Sequence, residues 1–171
     1  MATETDIPQS VMNDDILNRS VIVIILGDAV AAESLAASLL AGSSGICHVK
    51  MRNAPKPREK SKQLQFAVLL EKTAENFQEG CRLMLVSGFP STIEDAELVA
   101  QSCPHLVTFT KGNPSETQHR IQSTLRSGGQ VHVIDPDRSE SQQRTFVQNR
   151  INAFLASREI AVELDRALAV A

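Results

Sequence analysis

Short apolar runs alternate with longer stretches of helical spacing along this chain. The first run, Val21–Leu26, contains only Val, Ile and Leu, with no polar residue interleaved. A strand with one wet face alternates apolar and polar side chains. An unbroken run therefore reads as a strand buried on both faces. Further strands are predicted at Ile46–Met51, Arg82–Val86, Leu106–Thr110 and Gln130–Ile134. Between them the spacing predicts helices over Val30–Ala41, Arg58–Glu79, Ile93–Ser102 and Pro114–Arg126, then a long one from about Ser139. Strand–helix alternation points to parallel strands joined by right-handed crossovers. The expected fold class is α/β, a three-layer α/β/α sandwich around a five-stranded parallel sheet.

The same pattern divides the chain. Residues 1–19 read as a loosely ordered lead-in, with Val11, Ile16 and Leu17 able to dock on the domain. Residues 20–157 form the core, and residues 158–171 extend the last helix. That helical pattern runs from Ser139 to Ala169, on the order of 45 Å. Phe146, Ile151, Phe154 and Leu155 are assigned to the sheet-facing side. Farther on, Ile160, Leu164 and Leu168 recur every four residues as a separate apolar stripe. Two readings stand: the stripe folds back on the same core, or it docks another protein. Asn53–Lys62, rich in Pro and Lys, reads as a solvated connector, with a basic contact patch as the alternative.

Val21–Leu26 ends at Gly27, and the next residues keep the spacing of a phosphate-binding loop, Gly-x-x-x-x-Gly-Lys-Ser/Thr. Gly27 takes the first glycine position and Ser34 the final hydroxyl. Ala32 stands where the second glycine belongs, and Glu33 stands where the lysine belongs. Asp28 adds a second negative charge. In working loops the lysine bridges the phosphates while backbone N–H groups wrap them. A carboxylate about 4 Å from a phosphate oxygen is unfavourable by roughly 4 kcal/mol at an effective dielectric of about 20. Glu33 also has a plainer reading, as a first-turn acidic residue favoured by the helix dipole. On either reading it excludes a phosphate.

Leu83–Glu97, LMLVSGFPSTIEDAE, resembles the motif of the adenylate kinase family, a strand running into Asp-Gly-Phe-Pro-Arg and a helix with Gln-Ala-Glu. Gly88, Phe89, Pro90, Ala96 and Glu97 match. Val131–Ser139 is similar to the last strand and turn of the same kinases, and Cys47-His48-Val49 sits where they have a Thr-His-Leu-like strand. The matches run from about Val21 to Ala156. The resemblance implies a P-loop nucleoside monophosphate kinase-like fold with strand order 2-3-1-4-5. The departures imply a degenerate member. At the monophosphate site Gly88 is kept, but Ser87 replaces the family's Asp, Ser91 its Arg and Asp95 its Gln. Serine cannot replace a bidentate guanidinium on a phosphate. The family's arginine-rich lid is lost, because one helix fills the stretch from Thr110 to Gln130. Arg120 and Arg126 lie in that helix, Arg120 matching the family's Lys-Arg-Leu-like position most closely, and Arg138 follows the last strand. Phosphoryl transfer needs closure, water exclusion and charge neutralisation together.

Composition narrows the remaining classes. The 171 residues suit one domain, and a net charge of −3 gives no basic field for nucleic acid. The aromatic residues are all Phe, which offers little for base stacking. No run reaches the roughly 18 apolar residues of a membrane span. The first twenty residues suggest no targeting signal, so the expected location is cytoplasmic. Cys47, Cys81 and Cys103 lack metal or redox spacing and read as three reduced thiols. His48, His105, His119 and His132 have no metal-type pairing, and His48 and His132 read as hydrogen-bonded strand residues. A Gly-x-Ser-x-Gly elbow is absent. Asp135 and Asp137 read as a turn before a helix capped by Ser139, rather than as magnesium ligands.

The expectation is an inactive adenylate-kinase-like module with no catalytic residue, cofactor or metal. Gly27, Ala32, Glu33 and Ser34 form a vestigial phosphate loop, and Ser87, Gly88, Ser91 and Asp95 a vestigial monophosphate site. Its partners would be protein subunits, met through Ile160, Leu164 and Leu168, with no nucleic acid, no membrane and weak or absent nucleotide binding. The resemblance implies large assemblies, including ciliary and flagellar ones. The alternative is an atypical nucleotide-binding protein or kinase with residual ATP binding, in which Arg120, Arg126 and Lys50 supply the lost charge. A third reading, a receiver-like domain, requires strand order 2-1-3-4-5.

Overall fold

A computed structural model describes residues 16–27, 29–40, 45–51, 64–111 and 115–158. Five strands, β1 (Val21–Gly27), β2 (Ile46–Lys50), β3 (Leu83–Ser87), β4 (Leu106–Lys111) and β5 (Gln130–Ile134), form one sheet. Its order is β2-β3-β1-β4-β5, and every pairing is parallel. This is the expected 2-3-1-4-5 arrangement, and it excludes the receiver order. Helices α1 (Ala29–Leu40), α2 (Leu64–Gln78), α3 (Ile93–Ser102), α4 (Glu116–Arg126) and α5 (Glu140–Arg158) complete the layers.

β1 shows why the sheet needs both layers. Val21, Val23 and Ile25 pack into the cluster built with α1 and α5, with Ala32, Leu35, Ile151 and Phe154. Ile22, Ile24 and Leu26 point the other way, among Leu69, Ala96, Val99, Ile121 and Leu125 from α2, α3 and α4. A strand with no wet face cannot carry polar alternation, which is what the Val21–Leu26 run recorded. α5 brings Ile151, Phe154 and Leu155 onto the sheet as expected, with Phe146 packed beside them. Leu17 is 4% exposed and joins the opposite cluster, while Ile16 is half-buried.

The helix starts are written locally. Thr92 caps α3 by accepting the Asp95 N–H at 3.2 Å. Ser115 and Gln118 form a reciprocal capping box on α4. Ser139 and Gln142 repeat that exchange at the start of α5, at 3.1 and 3.2 Å. The Asp135–Asp137 turn closes locally, because Asp135 Oδ1 accepts the Asp137 N–H at 2.9 Å.

The cysteine expectation is corrected. Cys47 and Cys81 are joined as a disulfide, with Cα atoms 6.1 Å apart, and only Cys103 among the cysteines is a free thiol. The two lie 34 residues apart in sequence. β2 runs beside β3 with Cys47 opposite Met84, so the chain returning through Gly80 sets Cys81 at the same sheet edge. Burial pushes the Cys103 thiol up to about 12. Val11, the Asn53–Lys62 connector and the Ile160, Leu164 and Leu168 stripe lie outside the described residues.

Candidate functional site

β1 feeds α1 on one face of the sheet, whereas its neighbours β3 and β4 feed α3 and α4 on the other. Connections that diverge to opposite faces leave a crevice beyond the carboxyl ends of the strands, which is the usual ligand position in such sheets. The expected phosphate loop and monophosphate site both fall here.

At the phosphate loop, β1 ends at Gly27 and α1 is already helical from Ala29. Of the positions that would wrap a phosphate, 29–32 are wound into the helix. From its fifth residue onward, each helical N–H bonds the carbonyl four residues back. The Glu33 and Ser34 amides therefore belong to the helix ladder. The sequence of α1, AVAAESLAASLL, explains this: alanine and leucine favour helix where a cradle needs glycine. Gly27 itself serves the sheet. Its φ is +129°, and a Cβ there would overlap the backbone carbonyl of Lys111, its partner on β4.

The remaining loop positions diverge. Ala32 is buried among the α1 and α5 side chains, and Ser34 is exposed. Glu33 is the fifth residue of α1, beyond the first turn, so the helix-dipole account of it is corrected. Its carboxylate lies 3.9 Å from the Lys50 ammonium at the end of β2. The Glu33 side chain is 12% exposed and that of Lys50 is 53% exposed. The charge reversal is thus balanced within the fold, by a lysine 17 positions away in sequence.

The monophosphate positions also part company. Ser87 is buried at the end of β3, and its Oγ lies 2.7 Å from His48 Nε2. Burial lowers the His48 pKa, Lys50 lowers it further and Glu33 opposes both. Gly88 (φ +76°) and Ser91 are exposed, on either side of the cis Phe89–Pro90 peptide. Asp95 is only 1% exposed, and its Oδ1 has no hydrogen-bond partner. Burial raises its pKa, the Thr92 hydrogen bond lowers it and Glu94 raises it. A cavity of about 300 Å³ opens between Gly27, Gly88, Pro90, Ser91, Ser115 and Gln118. No charged side chain among the described residues lines it.

Among the described residues, the cavity beside Gly27 and Gly88 offers a phosphate no cation and positions 29–34 offer it no open cradle, so this set does not fit a nucleoside triphosphate. Arg120 and Arg126 lie exposed on α4, and Arg138 Nε sits 3.6 Å from Asp135 Oδ2. One helix, α4, lies between β4 and β5. Among the described residues no cluster of His, Cys, Asp and Glu could hold a metal ion, and no helix is long and apolar enough to cross a membrane. The Glu33–Lys50 and His48–Ser87 pairings were hidden from sequence reasoning, because they join residues on separate elements.

No protein-family model matches the chain, and none of the curated proteins does. Among solved structures, the chain is similar to the solution NMR structure of a de novo designed protein of P-loop fold. The two share 14% identity with a TM-score of 0.53, over 81% of this chain and 95% of that one. At that identity the likeness establishes the fold alone.

Proposed function

We propose that this chain is a degenerate adenylate-kinase-like module that transfers no phosphate and works as a protein-interaction subunit of a larger assembly. The observation that carries the reading is the winding of residues 29–34 into α1, where a phosphate cradle would have to be open. The Glu33–Lys50 pair supports it, as does the cavity beside Gly88, which no charged side chain lines among the described residues. The family resemblance suggests a cytoplasmic setting and assemblies such as those of cilia and flagella. In a reducing cytoplasm Cys47 and Cys81 would stand as thiols.

The test has two arms. A coupled assay for ADP from ATP and AMP, with calorimetry against magnesium–ATP, should give no turnover and no binding tighter than millimolar. Affinity purification of the full chain and of a chain ending at Arg158 should recover a stoichiometric partner with the first only. Turnover, or failure to recover any stable partner, would overturn the reading. A second reading, an atypical nucleotide-binding protein, rests on the cavity at the carboxyl ends of the strands, where Gly27 and Gly88 leave backbone accessible. It predicts micromolar ATP binding without turnover.

A further inference from the structure

A second cavity, of about 230 Å³, lies between the flank of α1, the end of β4 and the first turns of α5. Its wall includes Ser34, Lys111, Glu140, Ser141, Gln143 and Arg144. We propose that it is a binding site for a small phosphate anion, either inorganic phosphate or the phosphoryl group of a phosphomonoester.

The fold concentrates positive charge there. Lys111 is the last residue of β4 and Arg144 the fifth of α5, and neither has an ion-pair partner among the described residues. Arg144 Nε is buried with no hydrogen-bond partner. A buried donor without an acceptor costs about 1–3 kcal/mol, and more when the group is charged. Arg144 lines the cavity, so turning Nε toward an anion there removes that penalty. The N-terminus of α5 adds partial positive charge, and Ser34 and Ser141 add hydroxyl donors.

Gln143 narrows the ligand class. It is 5% exposed, and its Nε2 donates to the Asp135 and Arg138 carbonyls at 3.3 and 3.0 Å. Its Oε1 has no partner. Oε1 is sealed from solvent, so a ligand engages this acceptor when the Gln143 side chain turns toward the donors of the wall. Hydrogenphosphate presents both oxyanions and a P–OH proton near neutral pH, whereas sulfate presents oxyanions only. Glu140 is the opposing charge on the wall. It precedes Arg144 by four residues, yet no ion pair forms between them. Its carboxylate therefore belongs to the same wall and opposes an anion there. A phosphate held by Lys111 and Arg144 would tie α1, β4 and α5 together. This site uses none of the glycines of the phosphate loop and stands apart from the reading of the module as inactive.

The experiment is a titration of the full chain with sodium phosphate and sodium sulfate at constant ionic strength, read by calorimetry and thermal unfolding. Phosphate should bind and raise Tm with concentration, and sulfate should bind at least threefold more weakly. Arg144→Gln and Lys111→Gln should each weaken phosphate binding about tenfold, and Glu140→Gln should tighten it severalfold. Arg126→Gln, on exposed α4, should bind as the unaltered chain does. Circular dichroism and the phosphate-free Tm separate lost binding from lost folding. No phosphate binding, or equal binding by well-folded Arg144→Gln, would overturn the site. Equal affinity for sulfate would overturn the role of Gln143.

Discussion

Restoring the phosphate-loop lysine by Glu33→Lys should destabilise the protein and leave ATP unbound. The substitution acts first on the Glu33–Lys50 pair at 3.9 Å. Two unit charges at that separation interact by about 4 kcal/mol at an effective dielectric of about 20. Lys50 is half exposed, so solvent screening reduces the net value to about 1 kcal/mol. Reversing one sign loses that attraction and adds a comparable repulsion, a loss of about 2 kcal/mol. At a urea m-value of about 2 kcal/mol/M, the unfolding midpoint should fall by about 1 M. The double variant Glu33→Lys/Lys50→Glu should recover at least half of that shift. Calorimetry with magnesium–ATP should stay silent for the single variant, because the amides around residue 33 remain in the α1 ladder. An unchanged midpoint, or no recovery in the charge swap, would refute the ion-pair reasoning. Micromolar ATP binding by Glu33→Lys would refute the helical-cradle reasoning.

Three further outcomes follow from the same geometry. Gly27→Ala should destabilise by about 1–3 kcal/mol in chemical denaturation, since it forces a Cβ onto the Lys111 carbonyl at positive φ; a neutral result would show that β1 and β4 can separate there. Stability should fall as pH drops from 7.5 to 5.5: the fold lowers the pKa of His48 and His132, so the unfolded chain takes up protons near pH 6.5 before the folded one does. His48→Gln should flatten that slope, and a slope unchanged in urea titrations at the two pH values would contradict it. Reducing the Cys47–Cys81 bridge should lower stability by about 2–4 kcal/mol, from a loop of 34 residues, and Cys47→Ala should make the protein insensitive to dithiothreitol.

Most of the fold was legible because its signals are local. The polar-free Val21–Leu26 run marked the central strand, and α3 and β5 lie at the bounds their spacing predicted. The strand order followed from the resemblance carried by Gly88, Phe89 and Pro90. What stayed hidden joins residues distant in sequence. Nothing near Glu33 announces Lys50, and nothing near Cys47 announces Cys81. The phosphate loop is the instructive case. Spacing alone placed Gly27, Ala32, Glu33 and Ser34 around a cradle. The alanine-rich composition between them already favoured continuous helix, and that local preference prevailed. Lys111 and Arg144 carried no signal, since a strand end and a helix flank meet only in the folded molecule.

The placement of β1 also bears on how the protein is made. Its two neighbours are β3 and β4, and Ile22 sits opposite Leu106, a residue synthesised 84 positions later. At translation speeds of about 5–20 residues per second, that interval is roughly 4–17 s. For the last part of it β1 can pair with β3, but until β4 emerges one edge of this all-apolar strand stays open. Ribosome-associated chaperones are the natural caretakers of such a segment, and yield in a cell should depend on them more than on the finished protein's thermodynamic margin.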